Sequence, residues 1–154
     1  MTVSDGVSAG EREDLSGDVL AELLEAEGFD VERTVVPDER EAIAAAVLDA
    51  AGQARLVLTT GGTGFAGRDV TPEATLDVLD RLAPGLAEAI RVDSIAKTPH
   101  GLLSRGVAGI RGRTLVVNLP GSPGGCRDGF AVLRPVLEHA LGLLAGEETA
   151  HRQT

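Results

Sequence analysis

The sequence predicts an α/β fold: three layers, with a mostly parallel sheet carrying helices on both faces and one antiparallel hairpin. Three observations predict it. Short apolar runs alternate with longer stretches whose apolar residues recur at helical spacing, the pattern that builds parallel sheets by crossover. The run Leu56–Thr60 lacks polar alternation, as a strand covered on both faces requires. Two apolar runs, 107–110 and Thr114–Leu119, flank a short Arg-Gly-Arg turn and read as a hairpin. The length of 154 residues suits one domain, expected at 1–146, followed by a flexible C-terminal tail at 147–154.

The elements follow in order. Thr2 and Val3 read as the end of a first strand, and residues 4–14, polar and glycine-containing, as a loop. Ser16 is placed to cap a helix with the stripe Val19, Leu20, Leu23 and Leu24, which Gly28 stops. Residues 29–36 read as a strand closed by Pro37. Asp38 and Glu41 have capping-box spacing ahead of a helix that buries Ile43, Val47, Leu48 and Ala51 and ends at Gly52. Beyond the strand at 56–60 and a glycine-rich turn, Thr71 can cap a helix with Pro72 at its first position and Leu76, Leu79 and Leu82 inside. Pro84-Gly85 breaks that helix, and 86–95 forms the next. "KTPHGLLSR" reads as loop ahead of the hairpin. Phe130, Leu133, Leu137, Ala140, Leu141 and Leu144 mark a closing helix in which Pro135 makes a kink or a new start.

Composition excludes several classes of function. A net charge of −10 with no Trp or Tyr argues against a nucleic-acid surface, which needs a basic footprint and stacking platforms. It does not exclude a small anionic ligand held by backbone amides and one or two arginines. The single Cys126 rules out an intrachain disulfide and a multi-thiolate metal site, and the three histidines lack metal-ligand spacing. No apolar stretch is long enough to span a membrane, and "MTVSDGVSAGERED" has no signal-peptide pattern, so a cytoplasmic location is expected.

Three polar turns leave strand ends: Ser4-Asp5, residues 60–69, and "NLPGSPGG" at 118–125. In open α/β sheets ligands bind beyond the carboxyl ends of strands, so these turns are expected to converge. "TTGGTGFAGRDVTP" satisfies G-x-G-x-x-G through Gly62, Gly64 and Gly67, yet no helix opens at once and Asp80 lies in a helical stretch rather than at a strand end. It nearly matches a P-loop too, but Arg68-Asp69 stand where Lys and Ser/Thr are needed. Glycines alone can serve a tight turn. Thr60, Thr63 and the glycine amides also suit an anion nest, and Asp69 beside it would need a cation such as magnesium to stand next to a phosphate.

"TVSDG", "DLSG", "VVPDE", "LTTGGTGFAGRDVTPEAT", "APG" and "LSRGVAGIRGRTLVVNLPGS" occur in the chain. Together they resemble the molybdopterin adenylyltransferases, that is, the MogA and MoaB proteins and the N-terminal domain of gephyrin, from residue 2 to about 145. The resemblance implies a MogA-like fold and transfer of AMP from magnesium-ATP to the terminal phosphate of molybdopterin, with release of pyrophosphate. It implies a homotrimer and hand-off of the product to a molybdenum insertase. It makes Asp38 and Asp69 catalytic and metal-holding. Ser4, Asp5, Thr60, Gly61, Gly62, Thr63, Gly64, Ser104, Asn118, Pro120, Gly121 and Ser122 become substrate-binding. Gly67 falls at a variable position.

Other readings of single residues stay open. Asp38 can be a plain helix cap, Asp5 can stabilise a turn, and Arg68 and Arg105 can meet phosphates or solvent. A non-catalytic pterin-binding protein and a nucleotide-pyrophosphate hydrolase are the alternative functions. Relatives have apolar residues before "TVSD", whereas Met1 directly precedes Thr2 here. Either the start lies upstream or the first strand is short, and a short strand would leave backbone groups of its neighbour without partners.

Overall fold

The computed structural model describes residues 1–146; the tail expected at 147–154 lies outside them. The elements are β1 (Thr2–Val3), α1 (Asp5–Ser8), α2 (Leu15–Ala26), β2 (Val35–Val36), α3 (Arg40–Ala51) and β3 (Leu56–Thr60). Then come α4 (Thr71–Leu76), β4 (Arg81–Leu82), α5 (Pro84–Lys97), a 3₁₀ turn (Pro99–Leu103), β5 (Ala108–Arg111), β6 (Thr114–Leu119) and α6 (Pro123–Ala145). The strands form one sheet in the order β2-β1-β3-β6-β5-β4. The first four strands of that row run parallel; β5 returns antiparallel to β6 as the expected hairpin, and β4 adds a further antiparallel edge.

Each sheet face has its own core, and the two-residue side-chain period of the central strands divides it. Leu58 on β3 and Leu115, Val117 and Leu119 on β6 pack with Val19, Leu20, Ile90, Phe130, Leu133 and Leu137 of α2, α5 and α6. Val57 and Val116, their neighbours in sequence, point the other way and pack with Ile43 and Val47 of α3 and Ala74 of α4. That is the three-layer arrangement expected. Each fully buried Val or Leu contributes about 1.5–3 kcal/mol, and β6 is buried along its whole length. Among the described residues no helix is long and apolar enough to cross a membrane.

Several boundaries differ from expectation, each for a local reason. Ser4 caps α1 inside the expected loop, its Oγ accepting from the Val7 amide. Asp14, not Ser16, caps α2 through a bond from the Gly17 amide. The helix expected to bury Leu76, Leu79 and Leu82 stops at Leu76. Leu76 and Leu82 are exposed, and 81–82 becomes β4 because Asp80, Arg81, Leu82 and Ala83 align against β5. Pro84 starts α5 rather than merely breaking its predecessor, since a first-turn residue needs no donor. "KTPHGLLSR" contains the 3₁₀ turn, and Pro135 is absorbed into one helix.

The largest difference is the strand expected at 29–36, of which only Val35–Val36 forms. A strand needs a partner, and β1 offers Thr2 and Val3 alone. On the other side of β1 only Thr2 pairs with β3, opposite Thr60. The Met1 ammonium donates to the Leu58 carbonyl at 2.9 Å, and the Thr60 amide donates to the Met1 carbonyl at 3.0 Å. Leu56 faces the same way with no strand opposite. Between β3 and 29–34 lies an open cavity of about 550 Å³ lined by Leu20, Leu24, Phe29, Leu56 and Leu58. Burial pushes the pKa of the Met1 ammonium down. Joining four alternating Val and Ile residues ahead of Met1 is therefore expected to fill the cavity, pair the free edge of β3 and turn the ammonium into an amide. Stability should rise by about 1–3 kcal/mol, roughly 2–10 °C in Tm, in a calorimetric scan; an unchanged Tm would contradict it.

Candidate active site

Four parallel strands end on one edge of the sheet, and each end carries polar residues. β1 leads into Ser4 and Asp5, β2 into Pro37 and Asp38, β3 into Gly61, and β6 into Pro120. Backbone proximity there demands glycine. A Cβ on Gly61 would stand 2.3 Å from the Val3 carbonyl oxygen, and one on Gly121 3.1 Å from the Gly61 Cα. Gly61 and Gly62 both adopt positive φ, at 101° and 66°. The Thr60 hydroxyl donates to the Pro120 carbonyl at 2.7 Å, and the Gly61 amide donates to the Leu119 carbonyl at 3.3 Å, so the turns after β3 and β6 are tied together.

Asp5 and Asp38 are interlocked. The Asp5 amide donates to the Asp38 carboxylate at 2.8 Å, and the Asp38 amide donates to the Asp5 carboxylate at 2.9 Å. Asp38 is therefore not the cap of α3; Glu39 holds that position and makes no side-chain cap. Arg68 grips Asp5 with two bonds of 2.8 Å and holds its carboxyl below the usual range, helped by the bond from the Asp38 amide. Asp38 goes the other way: burial raises its pKa, and the charges of Asp5 and Asp69 add to the rise. Its Oδ1 lies 3.3 Å from where a Gly62 Cβ would sit, so the glycine loop closes over it.

Asp69 folds back on its own loop, its Oδ2 accepting from the Ala66 amide at 2.9 Å and standing 2.9 Å from a Cβ built on Gly64. Asp38 and Asp69 are thus set against Gly62 and Gly64 of one loop. Among the described residues the amides of Gly62, Thr63 and Gly64 donate to no protein acceptor. Gly67 has open space around it and takes no part in a dinucleotide-type turn. No group of three or more His, Cys, Asp or Glu among the described residues gathers closely enough to hold a metal ion unaided.

Of the residues expected to bind substrate, Ser4, Thr60, Gly61, Gly62 and Gly121 line a pocket of about 250 Å³. Asn118 does not. It is buried, its amide group donating to the hydroxyls of Thr59 at 2.9 Å and Thr75 at 3.0 Å while its oxygen accepts from the Val107 amide. Every polar atom is used inside the protein, so Asn118 braces β6 against α4 from beneath. Ser104 accepts from the Gly106 amide and Ser122 caps α6, accepting from the Gly125 amide at 3.1 Å; neither lines that pocket. Thr71 is the first residue of α4 rather than its cap, and its hydroxyl donates to the Gly61 carbonyl.

Arg105, left open by the sequence, is the strut of the loop. Its Nε donates to the Gly64 carbonyl at 2.7 Å, its Nη2 to the Asp69 carbonyl, and its Nη1 to Glu73. Its own amide donates to the Thr63 carbonyl. The guanidinium draws the Glu73 carboxyl below its ordinary range. No local pattern announces this, since Arg105 lies 41 positions from Gly64 and 32 from Glu73.

Residues 1–139 match the family model described as a probable molybdopterin binding domain. The chain belongs to the molybdopterin-binding domain family. A member from Helicobacter pylori strain J99, a molybdopterin adenylyltransferase, is 38% identical over 95% of this chain and 86% of its own length. The cinnamon protein of Drosophila melanogaster, a molybdenum cofactor synthesis protein, is 39% identical over the whole of this chain, which spans 26% of it. The MoaB structure from Thermus thermophilus superimposes with a TM-score of 0.88 at 49% identity, covering 94% of this chain and 93% of that one. The molybdopterin-binding fold expected from the sequence is thus the fold observed.

Two measurements probe this site. Because the folded-state pKa of Asp38 lies above its unfolded value, stability from this group is full below the unfolded carboxylate range and is lost as pH rises through the folded pKa. Asp38→Asn keeps an oxygen for the Asp5 amide and removes the charge. It should stabilise the ligand-free protein at neutral pH by no more than about 1 kcal/mol after solvent screening, with the gain vanishing in acid, as read from urea unfolding across pH. Arg105→Ala should cost about 1–3 kcal/mol and speed hydrogen exchange across 62–69, and Arg105→Lys should not restore the loop, because lysine lacks the planar fork.

Proposed function

We propose that this chain is a molybdopterin adenylyltransferase acting in molybdenum cofactor biosynthesis, moving the adenylyl group of magnesium-ATP onto the terminal phosphate of molybdopterin. The observation that carries the reading is the placement of Asp38 and Asp69 against Gly62 and Gly64 beside three amides without protein acceptors. The names of relatives such as the Helicobacter pylori protein support it.

In this reading an oxygen of the pterin's phosphate monoester attacks the α-phosphorus of ATP. The new O–P bond forms as the bond to the β-phosphate bridge breaks, and pyrophosphate leaves with that electron pair. The attacking oxygen is already anionic, so no strong general base is needed, and positioning with charge neutralisation carries the rate. The amides of Gly62, Thr63 and Gly64 hold phosphate oxygens through fixed dipoles in a preorganised loop. Asp38 and Asp69 fit a magnesium site: burial and like charge already disfavour the ionised Asp38, and magnesium takes one or two carboxylates together with phosphate oxygens. Magnesium, when bound, would neutralise the triphosphate charge. Asp5, held by Arg68 and the Asp38 amide, fixes the position of Asp38.

Self-association, as a trimer, is part of the proposal. Leu82 on the edge strand, Val92 and Ile95 on α5, and Leu102 and Leu103 in the 3₁₀ turn are exposed apolar side chains that copies of the chain could cover. The product would pass to a molybdenum-inserting partner. The buried free thiol of Cys126 suits the reducing cytoplasm.

Asp69→Asn should abolish pyrophosphate release in a molybdopterin-dependent assay, by at least about a thousandfold in kcat, with unchanged circular dichroism and pterin binding. Equal turnover of the variant would remove Asp69 from the mechanism. Wild-type pterin binding without pyrophosphate release would favour the binding-only alternative, and cleavage of ADP-ribose without any need for pterin would favour the hydrolase.

A further inference from the structure

The pocket of about 250 Å³ beyond β1 and β3 holds one arginine, Arg12, together with Ser4, Ser16, Gly61 and Gly62. The other arginines near this edge are committed, Arg68 to Asp5 and Arg105 to Glu73 and the loop carbonyls. Among the described residues Arg12 forms no ion pair. Its side chain is nonetheless placed. The Arg12 amide donates to the Gly6 carbonyl at 3.2 Å, and the stem lies on Gly6, where a Cβ would stand 2.7 Å from Cδ and 3.2 Å from Cγ. Gly6 sits in α1 without positive φ, so its lack of a side chain answers no backbone requirement. It leaves the groove in which the arginine lies.

We propose that Arg12, laid across Gly6, is a substrate-positioning residue whose guanidinium receives a phosphate group in this pocket. A chain of net charge −10 needs local positive charge to hold an anion, and Arg12 is the uncommitted cation lining the pocket. Guanidinium and phosphate match through paired N–H donors, and Ser4 and Ser16 line the same space. Glu13 is the carboxylate lining the pocket, and it opposes the anion. The choice of ligand rests on the adenylyl-transfer reading, which supplies two sources of the same chemistry: the pterin's phosphate monoester and the polyphosphate of ATP.

Titration of the full chain with inorganic phosphate and with pyrophosphate, followed at the Gly62 amide by NMR, tests the binding without turnover. Arg12→Gln should weaken both anions about tenfold, as expected for loss of a charge-assisted bond. Gly6→Ala keeps the charge but displaces the stem and should weaken them about threefold at unchanged Tm. Glu13→Gln should tighten them by roughly twofold. In turnover, Arg12→Gln should raise KM with little change in kcat. A rise for the pterin identifies the monoester as the occupant, and a rise for ATP identifies the polyphosphate. Anion binding by Arg12→Gln equal to wild type overturns the proposal. Loss of anion binding in that variant supports it even where the wild type releases no pyrophosphate, the result that would instead reject adenylyl transfer.

Discussion

The ends of the central strands meet within the thickness of one backbone, and that contact depends on Gly61. Its amide reaches the Leu119 carbonyl, its Cα lies under Gly121, and no Cβ fits between it and Val3. A side chain there would place its Cβ 2.3 Å from the Val3 carbonyl oxygen, far inside contact distance, and would force β1 away. The glycine loop passes over Asp38, whose Oδ1 lies 3.3 Å from a Cβ built on Gly62.

Electrostatics is handled on top of this contact by main-chain donors rather than by abundant cations. Asp5 and Asp38 each take the other's amide, and Asp69 takes the Ala66 amide. Backbone dipoles keep three carboxylates in place at one edge of an already acidic chain, leaving arginine for selected positions. Arg68 and Arg105 shape the site from outside by gripping Asp5 and the loop carbonyls. The ionised form of Asp38 is disfavoured in this arrangement, by burial first and then by the charges of Asp5 and Asp69.

The same edge shows how one short element propagates. β1 and β2 pair over two residues each, residues 29–34 run without a ladder, and an open cavity lies beside β3. At the carboxyl ends of the strands the pairing holds: Thr2 pairs with Thr60, and Val3 lies against Gly61. Pairing at the carboxyl ends of the strands is kept where it matters for the loops.

Sequence patterning determined the layers, the hairpin and the gathering of three turns, because burial imposes periods of 2 and 3.6 that apolar residues must obey. Asp38 and Asp69 stood out through the resemblance of their motifs to a known family, whereas local pattern alone read Asp38 equally well as a helix cap. Capping was less legible, since Asp14 and Ser16, or Asp38 and Glu39, compete within two residues and only the surrounding partners choose. Asn118, expected among the substrate-binding residues, spends its side chain bracing β6, and Arg105, which the sequence left open between phosphate and solvent, is the strut of the loop. What decided those roles was contact between residues far apart in the chain, 41 positions between Arg105 and Gly64, and 33 between Asp5 and Asp38. Spacing along the chain dictates which face a side chain takes, but its partner is settled only when the sheet brings distant turns to one edge, and hydrogen bonds form with whatever then stands within 3 Å or so.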